Sequence, residues 1–249
     1  MKKYIPTIGS VEQHGSPYRN YLSRVVGGNS CLGLLRYDLI TGLLGGIPGA
    51  AGTILRSFFY RYIMNLTGKV FLGRDISIRC PGNITIEGGS FIDDDVRLDA
   101  KTGGAGYILI RKHSVIRSFT LISTGGEEGY VDIGTNCFIG QACQLHGYGG
   151  LKIGNNVLLA GQVFVTASSH VADRIDIPIK DQGITIEGVQ IGNGCWIGAG
   201  VTILDGVKIG DGSVIGAGAV VTNSIPPFSI AVGIPARVVK GRSESDSGK

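Results

Sequence analysis

Branched aliphatic residues recur at every sixth position in the C-terminal half of the chain. Six stand in succession: Ile191, Ile197, Ile203, Ile209, Ile215 and Val221. The residue four positions after each one is small or apolar, and it lies two positions before the next aliphatic. Residues two apart share one face of a strand. Each repeat therefore predicts a short strand with two inward side chains, such as Val207 and Ile209, and an outward one, Lys208.

Glycine marks the corners between these predicted strands. It stands three residues after five successive aliphatics, at Gly194, Gly200, Gly206, Gly212 and Gly218. A position that selects glycine between strands is typical of a sharp corner with positive φ. Six residues then make one flat side and one corner. Such repeats bury their apolar side only by stacking into a solenoid.

The same phase appears earlier, with Asn136 and Asn156 at corner positions, and it is fainter from about residue 70. Asparagine tolerates the left-handed region next best after glycine. Extra residues interrupt the phase near 101–107, 124–131, 146–152 and 171–190. The longest interruption, 171–190, is expected to leave the solenoid as an outward loop, and such loops usually carry function.

The N-terminal region 1–69 follows a different pattern. Residues 1–30 are polar and glycine-rich, which predicts a loose arm. The segment 31–66 is apolar and contains Pro48 among several glycines, which predicts two short helices joined near residues 45–49. Its uncharged stretch is shorter than the roughly 20 residues that a membrane-spanning helix needs.

Two interpretations of segment 31–66 stay open. The favoured one is a pair of helices that cap the core, because apolar helix faces usually pack against a core. The alternative is a segment on a membrane surface, with Arg36, Arg56 and Arg61 at its polar edge.

Composition narrows the class of protein. Of 249 residues, 42 are glycine, 43% are hydrophobic and 17% are charged, which argues against a disordered chain or a coiled coil. The net charge of +4 is too mild to indicate a nucleic-acid partner. Five cysteines without a CxxC pair argue against a disulfide framework or zinc cluster and favour a reducing cytoplasm.

Several motifs occupy the last hundred residues. They are Ile153 to Ala160, the Ser169-His170 pair, Cys195 to Gly200, and Ile225-Pro226-Pro227 leading to Gly233 to Val238. Together they resemble the hexapeptide-repeat acyltransferases, specifically the sugar O-acetyltransferases that act on galactosides, maltose and nodulation factors. The resemblance implies an all-β fold, a left-handed parallel β-helix over residues 70–240. Residues 1–69 form a helical extension outside the shared core, and residues 241–249 form a polar tail.

The resemblance also implies a catalytic residue. His170 stands where the family has its general base, and an imidazole can take a proton from an attacking alcohol near neutral pH. The alternative is a corner histidine that hydrogen-bonds the loop. His146, 24 residues earlier, is as consistent with a substrate-positioning role as with a structural one. Asp173 or Asp176 could orient the base, and the sequence does not decide between them.

In the resembled family, coenzyme A lies in the groove between two neighbouring solenoids. The residues carried across to this chain are Ala199, Ala217, Thr222, Asn223, Arg237 and Lys240. Arg237 and Lys240 would bind phosphates, unless they simply belong to a solvated basic C-terminus. Asn223 departs from the lysine that sugar acetyltransferases often have there. Trp196 is expected beside the substrate, and no metal is required.

The sequence thus predicts an acetyl-CoA-dependent O-acetyltransferase that acts on a sugar or polysaccharide-precursor hydroxyl by direct transfer. The family implies a homotrimer. The predicted location is the cytoplasm, with peripheral membrane contact through residues 31–66 as an option. A xenobiotic or amino-sugar N-acetyltransferase and a non-catalytic β-helix assembly module are the alternatives. A carbonic anhydrase of similar fold is disfavoured, because it would need three suitably placed zinc-binding histidines.

Overall fold

Short parallel strands wind into a β-helix with three faces, which confirms the solenoid that the six-residue repeat predicts. The computed structural model describes residues 3–5, 17–28, 30–100, 105–126 and 128–242. The chain passes through faces A, B and C in turn, and each circuit forms one coil. Neighbouring strands on a face come from successive coils, about 4.8 Å apart.

The strands, numbered in chain order, divide among the faces as follows. Face A contains β2 (Asn65–Thr67), β5 (Ile84–Glu87), β8 (Tyr107–Ile110), β11 (Tyr130–Ile133), β14 (Leu151–Ile153), β19 (Val189–Ile191) and β22 (Lys208–Ile209). Face B contains β3 (Phe71–Leu72), β6 (Phe91–Ile92), β9 (Val115–Ile116), β12 (Phe138–Ile139), β15 (Leu158–Leu159), β20 (Trp196–Ile197), β23 (Val214–Ile215), β25 (Ser229–Val232) and the antiparallel β26 (Arg237–Gly241). Face C contains β4 (Ser77–Arg79), β7 (Arg97–Asp99), β10 (Leu121–Ser123), β13 (Gln144–His146), β16 (Phe164–Thr166), β21 (Thr202–Ile203) and β24 (Val220–Val221). A separate small sheet contains β1 (Lys3–Ile5), β17 (Ser169–His170) and β18 (Ile184–Ile186).

The core is the predicted ladder of aliphatic side chains. All six residues from Ile191 to Val221 in the main series are buried, and so are Val207 and Ile209, whereas Lys208 is exposed. The five corner glycines have φ between 64° and 80°, and Asn136 and Asn156 have φ of 57° and 56°. The predictions of inward strands and left-handed corners are therefore confirmed.

Asparagine and aspartate side chains tie successive coils together at the corner between faces A and B. The Asn155 Oδ1 atom accepts a hydrogen bond from the Thr135 N–H at 2.8 Å. The Asn193 Oδ1 atom accepts a hydrogen bond from the Asn155 N–H, and the Asp211 Oδ1 atom accepts one from the Asn193 N–H, each at 2.8 Å. Each bond pairs a backbone donor that the corner would otherwise leave open.

Three helices precede the β-helix: α1 (Pro17–Val25), α2 (Cys31–Leu44) and α3 (Gly49–Phe59). The prediction of two short helices joined near residues 45–49 is confirmed by α2 and α3. The Ser57 hydroxyl of α3 donates a hydrogen bond to the Val70 carbonyl at 2.5 Å, and the Tyr37 hydroxyl of α2 donates to the Ile78 carbonyl at 2.6 Å. Both helices therefore contact the first coil.

In the described part of the chain, no helix combines the length and the apolar character needed to cross a membrane.

Arg56 is buried, and the expectation that it lies at a polar edge is wrong. Its guanidinium donates hydrogen bonds to the carbonyls of Leu72 at 3.0 Å, Leu44 at 3.0 Å and Ile47 at 2.7 Å. A fourth contact, to the Gly45 carbonyl, is 3.3 Å long. The cation thus joins the C-terminal end of α2, where the helix dipole is negative, to strand β3.

The first strand of the β-helix begins at Asn65, five residues before the predicted boundary at residue 70. Leu66 of this strand packs against the core and so extends the solenoid upstream. Residues 1–2, 6–16 and 29 of the predicted arm and residues 243–249 of the predicted tail lie outside the described residues.

Candidate active site

The four interruptions of the repeat all leave the β-helix at one corner, between faces C and A. They connect β7 to β8, β10 to β11, β13 to β14, and β16 to β19. Each interruption begins after a face C strand, so all four begin at a single edge of the solenoid. This edge includes both His146 and His170.

A column of polar side chains runs along this edge on the outer side of face C. Its members occupy the same register position on successive coils: Arg79, Asp99, Ser123, His146 and Thr166. Arg79 and Asp99 form an ion pair at 3.6 Å. A row of donors and acceptors about 4.8 Å apart suits a ligand with many hydroxyl groups.

His146 is half-buried in this column. Its ring lies 5.5 Å from the ring of Phe164 on the next coil, measured between centroids. Burial lowers the pKa of the His146 imidazole, which favours the neutral ring. A neutral imidazole offers one donor and one acceptor to a ligand.

His170 lies at the same corner, one coil further along. It stands on β17, which pairs antiparallel with β18, so that His170 faces Ile184 in the register. The side chain is exposed. Among the described residues, no side chain hydrogen-bonds its imidazole. Asp176, one of the two predicted orienting carboxylates, instead binds the Arg174 guanidinium, with 2.9 Å between Nε and Oδ1.

The loop after His170 is shorter than the predicted range 171–190, because β18 and β19 take up residues 184–186 and 189–191. Gln182 holds the remaining loop together. Its Oε1 accepts a hydrogen bond from the Arg174 N–H at 2.9 Å, and its Nε2 donates to the carbonyls of Arg174 at 2.6 Å and Ile177 at 3.0 Å. Sequence reasoning missed β1, which adds a third strand beside β18.

Ala199 and Ala217, two of the predicted coenzyme A contacts, lie exposed at the corner between faces B and C. They belong to successive coils, and the Gly218 N–H donates a hydrogen bond to the Ala199 carbonyl at 2.8 Å. Within the described ranges, no hydrogen bond uses the N–H of Ala199 or of Ala217. Both groups are therefore open to a ligand that approaches the backbone.

Arg237 lies near this corner. The Val220 N–H donates to the Gly233 carbonyl at 3.1 Å, which brings the turn before β26 beside face C. The register between β25 and β26 shifts by one residue at Val239. This bulge offsets the alternation of side chains, which allows Arg237 and Lys240 to share a face.

Thr222 and Asn223 lie elsewhere, at the end of β24 and in the corner between faces C and A. One chain therefore divides the predicted coenzyme A residues between two corners. The outer side of face C separates them.

Trp196 is on the outer side of face B and is 53% exposed. It is thus on a different face from His170, and one chain does not bring the two side chains together. Trp196 belongs instead to an apolar stripe that runs the length of face B. The stripe consists of Phe71, Phe91, Val115, Phe138, Leu158, Trp196, Val214 and Ile230, all in register.

Sequence reasoning missed this face B stripe, although the sequence holds its signal. In every third repeat, an apolar residue stands directly before the inward aliphatic.

A groove of about 1020 Å³ lies away from these residues. It follows the outer side of face A past Lys152, Gln190 and Lys208, and none of the predicted site residues lines it. The described residues also hold no group of three or more His, Cys, Asp or Glu side chains suited to a metal ion.

Family models match two parts of the β-helix. The model of the six-repeat bacterial transferase hexapeptide matches residues 188–223, and the model of the hexapeptide repeat of succinyl-transferase matches residues 130–167. The β-helix is a hexapeptide-repeat domain.

The hexapeptide-repeat domain has sequence relatives that are named acetyltransferases. A probable acetyltransferase of Mycobacterium tuberculosis is 43% identical over 118 residues, which cover 47% of this chain and 39% of the relative. Galactoside O-acetyltransferase of Escherichia coli is 32% identical over 97 residues, which cover 39% of this chain and 46% of the relative. The chain thus spans about half or less of the length of these curated relatives.

A solved structure supports the fold. A variant of AntD, an N-acyltransferase from Bacillus cereus, was crystallised with dTDP and coenzyme A. It matches with a TM-score of 0.51 and 24% identity over 72% of this chain and 84% of that chain. The two proteins share the architecture of the hexapeptide-repeat domain.

Proposed function

We propose that this chain is an acyltransferase that moves an acetyl group from acetyl-CoA to a hydroxyl group of a sugar or of a polysaccharide precursor. The observation that carries the proposal is the position of His170. The side chain is exposed at the one edge where all interruptions of the repeat gather, beside a column of polar groups. The names of the curated relatives support the same reaction class.

His170 acts as general base in this proposal. Its imidazole takes the proton from the acceptor hydroxyl as the oxygen attacks the thioester carbonyl carbon. The carbon–sulfur bond then breaks, and the thiolate of coenzyme A leaves and takes up the proton. An open N–H in the segment 196–200, such as that of Ala199, stabilises the oxyanion. His146, neutral and half-buried, positions the acceptor.

The coenzyme A site follows from the small and basic residues. Ala199 and Ala217 allow a thin pantetheine chain to approach the backbone closely and to use its open N–H groups. Arg237 and Lys240 supply the positive charge for phosphates. Thr222 and Asn223 contact coenzyme A from the other corner in this proposal.

The proposed active unit is a homotrimer, because one chain keeps His170 and Ala199 on different corners. A second chain would bring its own corner with Ala199 against the corner with His170. The face B stripe supports this assembly, since an exposed apolar stripe along a whole solenoid face is typical of an interface. Trp196 of the stripe would then reach the acceptor site of a neighbouring chain.

The proposed location is the cytoplasm. Cys137, Cys143 and Cys195 are buried thiols that form no disulfide, which fits a reducing compartment.

The proposal is tested by measuring thiol release from acetyl-CoA with a panel of sugars and amino sugars. His170→Ala should lower kcat by about 10² to 10⁴, while coenzyme A titration stays unchanged. His146→Ala should lower kcat less and should mainly raise KM for the acceptor.

Three outcomes would count against the proposal. If His146→Ala is inactive while His170→Ala retains more than about a tenth of kcat, the base is misassigned. Transfer to amino sugars alone would indicate N-acetylation. If none of the acceptors in the panel gives thiol release, the non-catalytic module is favoured.

A further inference from the structure

The outer sides of α2 and α3 form an uncovered apolar surface. On α2, Leu32, Leu35, Leu39 and Leu43 follow spacings of three and four residues, which place them on one side of the helix. Between 51% and 75% of each leucine is exposed. Ile54, Phe58 and Tyr62 continue the apolar surface on α3 and on the 3₁₀ turn after it, and each is more than half exposed.

The solenoid does not use this surface. On its inner side α2 packs only Tyr37 and Ile40 against the core, and none of its residues is fully buried. A helix with apolar residues on both its inner and its outer side normally lies inside a protein or in contact with lipid. The leucines of α2 therefore point to a partner that is apolar.

The net charge of the N-terminal segment indicates what kind of apolar partner this surface contacts. Residues 17–72 contain six Lys or Arg residues and a single acidic one, Asp38, so this segment carries +5. The whole chain carries +4, so the remainder carries −1. Arg36 and Arg61 are both exposed beside the apolar surface, and the Arg61 guanidinium lies 5.4 Å from the ring centre of Phe58. Exposed apolar side chains flanked by arginines match the interface of an anionic lipid layer.

We propose that α2 and α3 dock this protein on a membrane that contains anionic lipids. The leucines of α2 and the aromatic residues of α3 insert at the boundary between headgroups and acyl chains, while Arg36 and Arg61 bind lipid phosphates. With 14 residues, α2 is about 21 Å long, so it lies along the surface. We propose a lipid surface and not a second copy of the chain as the partner, because a second copy can pack against the face B stripe instead.

The test is co-sedimentation of the full-length chain with vesicles, without acetyl-CoA. Vesicles of phosphatidylcholine alone are compared with vesicles that also contain phosphatidylglycerol. The wild type should bind the anionic vesicles more tightly, and added salt should weaken this binding. Because no acetyl transfer is measured, failure here bears on the surface and leaves the proposed function untouched.

Two pairs of substitutions separate the apolar from the ionic contribution. Leu35→Ser with Leu39→Ser should lower vesicle affinity at least about tenfold. Arg36→Gln with Arg61→Gln should lower affinity for anionic vesicles by about fivefold per charge and should leave the weak binding to neutral vesicles unchanged.

The matched controls lie on the β-helix and its loop. Phe119→Ser removes an apolar side chain that is 68% exposed. Lys112→Gln with Lys180→Gln removes two exposed charges. Both controls should bind vesicles as the wild type does.

The proposal is overturned if the wild type does not prefer anionic vesicles, or if the leucine variant binds them equally well. It is also overturned if the wild type does not bind vesicles and the leucine variant has a lower molecular mass than the wild type in light scattering. A second copy of the chain then covers the surface. If the leucine variant loses its folded circular dichroism spectrum, the arginine variant tests the proposal instead. Arg36 and Arg61 are exposed and do not pack in the core, so their substitution should leave the fold intact.

Discussion

His146 illustrates how burial of one ring affects the pH dependence of stability. Its pKa is lowered by burial against Phe164, whereas in the unfolded chain the imidazole titrates near about 6.5. Below that pH the unfolded state binds the proton more readily than the folded state. The free energy of unfolding therefore falls as pH drops through this range.

We expect His146→Gln to remove this contribution. The thermal midpoint of the wild type should fall more steeply than that of the variant between about pH 7.5 and pH 5.5. The measurement is a series of melting curves for both proteins. Parallel pH profiles would show that the ring is as accessible to protons in the folded chain as in the unfolded one.

Arg56 should be the strongest single contributor to the attachment of the helices. Arg56→Met would leave the carbonyls of Leu44, Ile47 and Leu72 without their charged donor, at a cost of about 3–5 kcal/mol. Arg61→Met, on the exposed side of the same segment, should change stability by no more than about 0.5 kcal/mol. Urea unfolding of both variants checks the difference, and equal midpoints would contradict the assigned role.

The sequence shows Arg56 as a charge within an apolar segment but not as a buried one. Its acceptors come from the end of α2, the following turn and strand β3, and the sequence pattern does not reveal how these segments meet. The left-handed corners could be read directly, because glycine and asparagine at fixed spacing report a local backbone requirement.

At the scale of elements, the six-residue period predicted the strands, corners and core because each repeat obeys the same local rule. The sequence also shows the four interruptions. Each one follows a third repeat, and this regular spacing is the signal that they share one corner. The pairing of β1 with β18 could not be read, because it joins segments about 180 residues apart without a shared pattern.

Gln182 should determine the rigidity of the loop after His170. Gln182→Ala removes three hydrogen bonds that span the loop, from Arg174 to Ile177. We expect faster proteolysis within residues 171–183 and a several-fold higher KM for the acceptor, while coenzyme A affinity stays unchanged. Lys180→Ala, an exposed neighbour, is the control. Equal cleavage rates for the two variants would assign the loop's order to other contacts.

At the scale of the whole molecule, the face B stripe should hold the proposed trimer together. Phe138→Glu places a charge in the middle of the stripe and should yield a smaller species by light scattering. Lys152→Glu, at an exposed position on face A, should keep the wild-type mass. A wild-type mass of one chain would refute the trimer before either variant is compared.

A shared site makes a stricter prediction, because His170 and Ala199 of one chain belong to different sites. His170→Ala removes the base, and Ala199→Trp fills the corner where pantetheine would lie, so each variant alone should be inactive. Co-expressed trimers contain some interfaces that combine an intact His170 with an intact Ala199 from the neighbouring chain. For equal expression and random mixing, about a quarter of the interfaces are intact, and activity should recover to about that fraction. The measurement is kcat per chain of the mixed protein against each parent and the wild type. If the mixture is as inactive as its parents while its mass is that of a trimer, both groups act within one chain, and the arrangement of the site proposed here is wrong.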